Sequence, residues 1–118
     1  MATIRITNLK LRTIIGTNDW ERVKKQNVVV NVALDYDASR AVKSDKLNDT
    51  IDYKTITKNI IKTVQGSKFF LLEKLTHTIL KIVMENPKVH KATVRVDKPL
   101  ALRYADSVSV KLSQTRKS

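Results

Sequence analysis

The chain has 118 residues, 42% of them hydrophobic, and a formal net charge of +12. That length points to one domain over residues 1–118, with a small interior that association with further copies would enlarge. The lack of cysteine excludes disulfides, thiolate zinc sites and cysteine nucleophiles, and the two histidines, His77 and His90, have no clustered partners with which to bind a metal.

The opening stretch, MATIRITNLK, alternates polar and apolar residues and lacks the continuous apolar core of a signal peptide. No run reaches the length of a membrane span, so a soluble, cytoplasmic protein is expected. Thr3 to Ile15 reads as a strand whose alternation changes phase, from Ile4 and Ile6 to Leu9 and Leu11. The change at Thr7–Asn8 predicts a bulge that reverses the buried face. Gly16 opens a polar loop, GTNDWERVKKQ, which holds Glu21 and the one tryptophan. Asn27 to Tyr36 is the clearest strand, with Val28, Val30, Val32, Leu34 and Tyr36 on one face, pairing antiparallel with the first.

The segment DASRAVKSDKLNDT has no apolar periodicity and reads as a polar connector. Asp52 can cap a helix running to about Gln65, with Ile56, Ile60, Ile61 and Val64 on its apolar face. Gly66 suits a left-handed turn that ends it. A second helix is expected over Phe69 to Met84, capped by Ser67 and stopped at Asn86–Pro87. Its stripe is Leu72, Leu75, Ile79, Ile82 and Val83. Glu73 lies about 100° of helical arc beyond Leu72, at the flank of that stripe. The free N–H groups of the first turns favour its charged form there, which is ordinarily no more than a stabilised helix start. Val89 to Val96 and then Val108, Val110 and Leu112 read as strands, and the tail from Gln114 as frayed.

The order strand, strand, helix, helix, strand, strand gives an α+β domain, an antiparallel sheet with both helices on one face. Four strands leave two open edges, and pairing with neighbouring subunits into a closed barrel would remove them. The charge could mark a nucleic-acid surface or steer a small polyanion such as a triphosphate. The basic residues are scattered and aromatics are only 5%, which leaves few platforms for stacking bases, so nucleic acid is the minor reading. Two glycines exclude Gly-rich phosphate loops.

The linker DKPLALRYAD, Asp97 to Asp106, is too long and too apolar for a simple hairpin loop. Lys98 falls just after a strand and before Pro99, from where its amine could reach a pocket. Taken singly, Lys98 is a solvated charge, Tyr53 a packed aromatic and Glu21 a loop charge. Together with Glu73 they form a pattern: LRTIIG with Glu21 in the next loop, then NDTIDYKTITKNI, LLEKLT and DKPLALRYADSVS. On these four motifs, from Ile4 to Ser113, the chain resembles the dihydroneopterin aldolase family, and within it the branch of dihydroneopterin triphosphate 2'-epimerases. The resemblance implies the tunnelling fold, in which ββααββ subunits form ring-like barrels stacked as a homo-octamer, with sites between subunits.

By matching position, Glu73 would grip the pterin, whose two adjacent N–H donors a carboxylate can accept in parallel. Leu72 would assist through its backbone, Tyr53 would lie beside the ring, Glu21 would approach the side-chain hydroxyls or an ordered water, and Lys98 would handle protons. Between subunits, Glu73 and Lys98 need not share a chain with Tyr53 and Glu21. The implied chemistry requires no cofactor and no metal, because the N5=C6 imine of a dihydropterin is itself an electron sink. A lysine base would need burial or nearby cations to lower its pKa. RYADSVS and LRTIIG favour the epimerase branch over aldol cleavage, since the aldolases more often carry histidine where Ile15 stands and glycine where Ser107 stands. Arg22, Lys24, Lys25 and Arg103 are candidate triphosphate contacts, although each alone is an ordinary surface charge.

Overall fold

The computed structural model describes residues 1–117. Five strands form one sheet: β1 (Ala2–Ile15), β2 (Gln26–Tyr36), β3 (Lys68–Phe69), β4 (Val89–Pro99) and β5 (Ser107–Thr115). Their spatial order is β3-β1-β2-β4-β5. The helices are α1 (Ser39–Ser44), α2 (Tyr53–Gln65) and α3 (Leu72–Met84), with 3-10 turns at Asp19–Arg22 and Leu47–Asp49. The α+β class expected from the pattern is therefore present.

The predicted bulge is real. The β1–β2 ladder slips between Ile6 and Leu9, and Asn8 adopts φ 55°. Asparagine tolerates that left-handed conformation, and its main-chain N–H donates to Asn31 Oδ1 at 2.9 Å. Beyond the slip the inward positions become Leu11, Thr13 and Ile15, all buried against Val28, Val30, Val32 and Leu34 of β2. From α2, Ile56, Ile60 and Val64 complete the core, and from α3, Leu75, Ile79, Leu80 and Val83. Asp52 caps α2 as expected, accepting from the Lys54 and Thr55 N–H groups at 3.1 and 3.3 Å.

Several expectations need correction. The sheet is not purely antiparallel, because Lys68 and Phe69 pair in parallel with Ile14 and Ile15. Ser67 does not cap α3: its hydroxyl donates to the Val64 carbonyl at 2.7 Å and meets Thr13 Oγ1 at 3.0 Å. Helix α3 thus starts at Leu72, and Gly66 ends α2 in a right-handed conformation (φ −91°). The polar connector contains α1 and the second 3-10 turn. The tail is not frayed at Gln114. β5 runs to Thr115, and Arg116 donates to the carbonyls of Val89 (2.9 Å), Asn86 (3.2 Å) and Met84. Among the described residues, no helix is long and apolar enough to cross a membrane.

Candidate active site

The alternation that buries Ala92, Val94 and Val96 continues past the expected end of β4, so Lys98 is the next inward position, within the strand and not after it. Its ammonium forms an ion pair with Glu21 of the same chain. Glu21 sits in the Asp19–Arg22 turn and is only 5% exposed. Its Oε1 accepts the Asn18 N–H at 3.2 Å, and its Oε2 accepts Gln26 Nε2 at 3.2 Å as well as the Lys98 amine. Burial pushes this carboxyl upward, but the hydrogen bonds from Lys98, the Asn18 N–H and Gln26, with the Lys98 charge, outweigh it and hold Glu21 below its ordinary value of 4.5.

Gly16 makes room for that carboxylate. It adopts φ +125°, and a Cβ there would collide with all three atoms of the Glu21 carboxylate group. Gln26 fixes the same corner from β2, donating also to the Ile15 carbonyl at 2.6 Å. Neither Gly16 nor Gln26 was singled out from sequence for this role. The register Thr13↔Gln26, readable once the hairpin is aligned, would have placed Gln26 beside the end of β1.

Arg22, a candidate triphosphate contact, has its guanidinium committed elsewhere. It donates to the carbonyls of Gly16 (3.1 Å), Phe69 (3.0 Å) and Lys68 (2.6 Å) and lies 3.9 Å from the centre of the Phe70 ring. Lys24, Lys25 and Arg103 are exposed, and the Arg103 guanidinium lies 5.7 Å from the centre of the Tyr104 ring.

Glu73 and Leu72 open α3 three residues beyond β3, at this same end of the sheet. Glu73 is exposed. The Leu72 carbonyl already accepts the Thr76 hydroxyl at 2.8 Å, and Leu71, at the N-cap, supplies no side-chain cap to the first-turn N–H groups. Tyr53 lies elsewhere. The far end of α2 abuts Thr13 through Ser67, so Tyr53, at the other end of this 13-residue helix, stands about 18 Å away. An open cleft of about 560 Å³ lies there, bordered by Asp52, Thr55, Ile82 and Lys88, and not by Glu21, Lys98 or Glu73.

One chain therefore brings together Glu21, Lys98 and the Glu73 helix start, and leaves Tyr53 remote. Glu21 groups with Lys98, not with Tyr53. Of the two settings named for a lysine base, burial or nearby cations, Lys98 has the first, and its neighbour is an anion. Among the described residues, no three His, Cys, Asp or Glu side chains gather as metal ligands. Chemically, this end of the sheet offers a buried acid–amine pair able to exchange protons and, at the start of α3, an exposed carboxylate able to accept hydrogen bonds.

The dihydroneopterin aldolase family pattern matches residues 4–113. A dihydroneopterin triphosphate 2'-epimerase from Escherichia coli (strain K12) is 50% identical over 115 residues, covering 98% of this chain and 96% of its own length. One from Pseudomonas aeruginosa is 47% identical over 116 residues, covering 98% and 94%. The atomic-resolution crystal structure of E. coli dihydroneopterin aldolase in complex with neopterin superposes with a TM-score of 0.92 at 26% identity, covering 97% of this chain and 99% of that one.

Proposed function

Since this chain belongs to the dihydroneopterin aldolase family, we propose that residues 1–118 act as one catalytic domain, a dihydroneopterin triphosphate 2'-epimerase converting 7,8-dihydroneopterin triphosphate to 7,8-dihydromonapterin triphosphate. The observation that carries the reading is the buried Glu21–Lys98 pair, set into a corner that only Gly16 leaves open, beside the helix start that presents Glu73. The two epimerase relatives at 50% and 47% identity favour this branch over the aldolase at 26%.

Glu73 accepts the pterin's two parallel N–H groups. Leu72 contributes through its N–H, because its carbonyl is occupied by Thr76. The 2'-hydroxyl loses its proton, the C1'–C2' bond breaks, and the electron pair passes through C6 to N5, which takes up a proton. The aldehyde turns and C1' adds to its other face; N5 gives its proton back and the new 2'-alkoxide is reprotonated. Lys98 and Tyr53 carry these protons between them, and Glu21 holds the Lys98 amine in place. Protonation of C1' after loss of the aldehyde would instead give aldol cleavage, the alternative outcome on the same site.

The site is completed by Tyr53 of a neighbouring subunit. Two features support association with further copies, which we propose forms a homo-oligomeric ring stacked as an octamer. Among the described residues, the outer edges of β5 and of most of β1 have no paired strand. Around the candidate site Trp20, Phe70 and Leu71 are exposed, as are Leu100, Leu102 and Tyr104 in the linker before β5.

The test is product analysis with in-trans complementation. Wild type should form the 2'-epimer without stoichiometric release of the aldehyde; hydroxymethyldihydropterin as main product moves the assignment to aldolase. Tyr53→Ala and Lys98→Ala should each be inactive, yet oligomers reassembled from an equal mixture should recover about a quarter of wild-type activity, because random mixing leaves that share of composite sites intact. Continued inactivity of verified mixed oligomers would sink the shared site.

A further inference from the structure

Beyond the groups that touch substrate, the corner contains one side chain tied to both halves of the site. Arg22 follows Glu21 directly and ends the Asp19–Arg22 turn. Through one guanidinium it reaches the Gly16 carbonyl on one side and the carbonyls of Lys68 and Phe69 on the other, with the Phe70 ring beneath it at 3.9 Å. β3 is two residues long, too short to seat itself. It is also held to this corner by its parallel pairing with Ile14 and Ile15 and by the Gly16 N–H, which donates to the Phe69 carbonyl at 3.3 Å. Phe70 and Leu71 are exposed and lead straight into the helix start that carries Leu72 and Glu73.

We infer that Arg22 is a positioning residue that sets the spacing between the Glu21–Lys98 pair and the Glu73 pterin anchor. The planar fork of arginine suits the task, because several N–H donors at fixed angles can meet carbonyls on two segments at once, and its face can lie on an aromatic ring. Lysine has a point charge and no fork. The inference rests on the epimerase reading, in which Glu73 holds the ring while the reacting carbons lie toward Lys98. A loosened Arg22 strap leaves the anchor able to bind and misplaces the side chain relative to the proton carriers.

The experiment compares wild type, Arg22→Lys and Phe70→Leu, measuring kcat on dihydroneopterin triphosphate and the dissociation constant of neopterin by fluorescence titration. In Arg22→Lys, kcat should fall roughly 10- to 100-fold, the scale set by an ångström of misplacement, while neopterin affinity per folded site stays within about threefold. Phe70→Leu removes the ring and leaves the carbonyl bonds, so it should show the same split at smaller amplitude; it carries the test if Arg22→Lys does not fold. In a Lys98→Ala background, Arg22→Lys should add no further loss, since nothing remains to be positioned. Wild-type kcat in the folded variants overturns the inference, and so does a kcat loss matched by an equal loss of affinity. A wild type that binds neopterin and neither epimerises nor cleaves its substrate overturns the functional reading, and the inference falls with it.

Discussion

Replacing Gly16 by alanine is the sharpest test of how the acid–amine pair is built. The position adopts φ +125°, and the added Cβ would occupy the space of the Glu21 carboxylate. Two costs combine. A side chain in that backbone region costs about 1–3 kcal/mol. Pushing Glu21 out also weakens its bonds to Asn18, Gln26 and Lys98, and one charged hydrogen bond lost is about 1.5–3 kcal/mol. A total near 3–5 kcal/mol is expected, which for a chain of this size lowers Tm by roughly 12–20 °C. The assay is thermal unfolding at one fixed protein concentration, run alongside turnover. A double-mutant cycle with Glu21→Ala separates the two costs: removing the carboxylate abolishes the collision, so the double variant should be more stable than additivity predicts by at least about 1.5 kcal/mol. Additive losses, or a Gly16→Ala protein within about 1 kcal/mol of wild type, would refute the argument.

The other expectations are read more simply. Glu73→Ala should weaken neopterin binding roughly 10- to 150-fold, equivalent to about 1.5–3 kcal/mol of charged hydrogen bonding, with Tm nearly unchanged because the side chain is exposed. Lys98→Ala should keep pterin binding and lose turnover. It should also unfold more easily, because it strands the buried Glu21 at about 3–5 kcal/mol, and Glu21→Gln in the same chain should recover part of that stability. Glu21 is held below its ordinary 4.5, so its contribution is full above that pH and fades as pH falls through the lowered folded value. Thermal midpoints measured from about pH 5 to about pH 3 should therefore fall less steeply in Glu21→Gln than in wild type. Arg116→Ala removes hydrogen bonds to Met84, Asn86 and Val89 and should cost about 1–3 kcal/mol, visible as earlier urea unfolding.

What could be read from the chain tracks the range of the forces involved. β2, the bulge at Asn8 and the buried faces of α2 and α3 follow from residue spacing over one or two turns, and they match the pattern. β3 could not be read, because two residues acquire strand character only from Ile14 and Ile15, more than fifty positions away. Ser67 looks like a helix cap locally, but its hydroxyl is claimed by Val64 and Thr13. Arg116 looks like a loose tail until the carbonyls at the end of α3 are in place. At the site, the family resemblance pointed to Glu21, Lys98, Glu73, Leu72 and Tyr53 as candidates, yet the pairing of Glu21 with Lys98 spans 77 positions and leaves no local signature. One signal was available: inward alternation through Val94 and Val96 leads to Lys98, and a lysine facing a core calls for a buried acid.

The length of the helices then decides how a site can be assembled. α2 leaves Tyr53 at one end and returns the chain, through Ser67, to the end where Glu21, Lys98 and β3 meet. α3 starts at that second end with Glu73 and runs back toward Lys88, whose amine holds the carbonyls of Asn48 and Thr50 just before α2 begins. Both helices have 13 residues, so the two ends stay about 18 Å apart whatever the side chains do. With Tyr53 as the proposed proton carrier and Glu73 as the proposed pterin anchor, the two would serve different sites, one at each end of the chain. Head-to-tail pairing of β5 on the free length of β1 would repeat that offset around a ring. On the proposed reading assembly would then be part of the catalytic apparatus, because each interface would join the acid–amine corner of one copy to the tyrosine of the next.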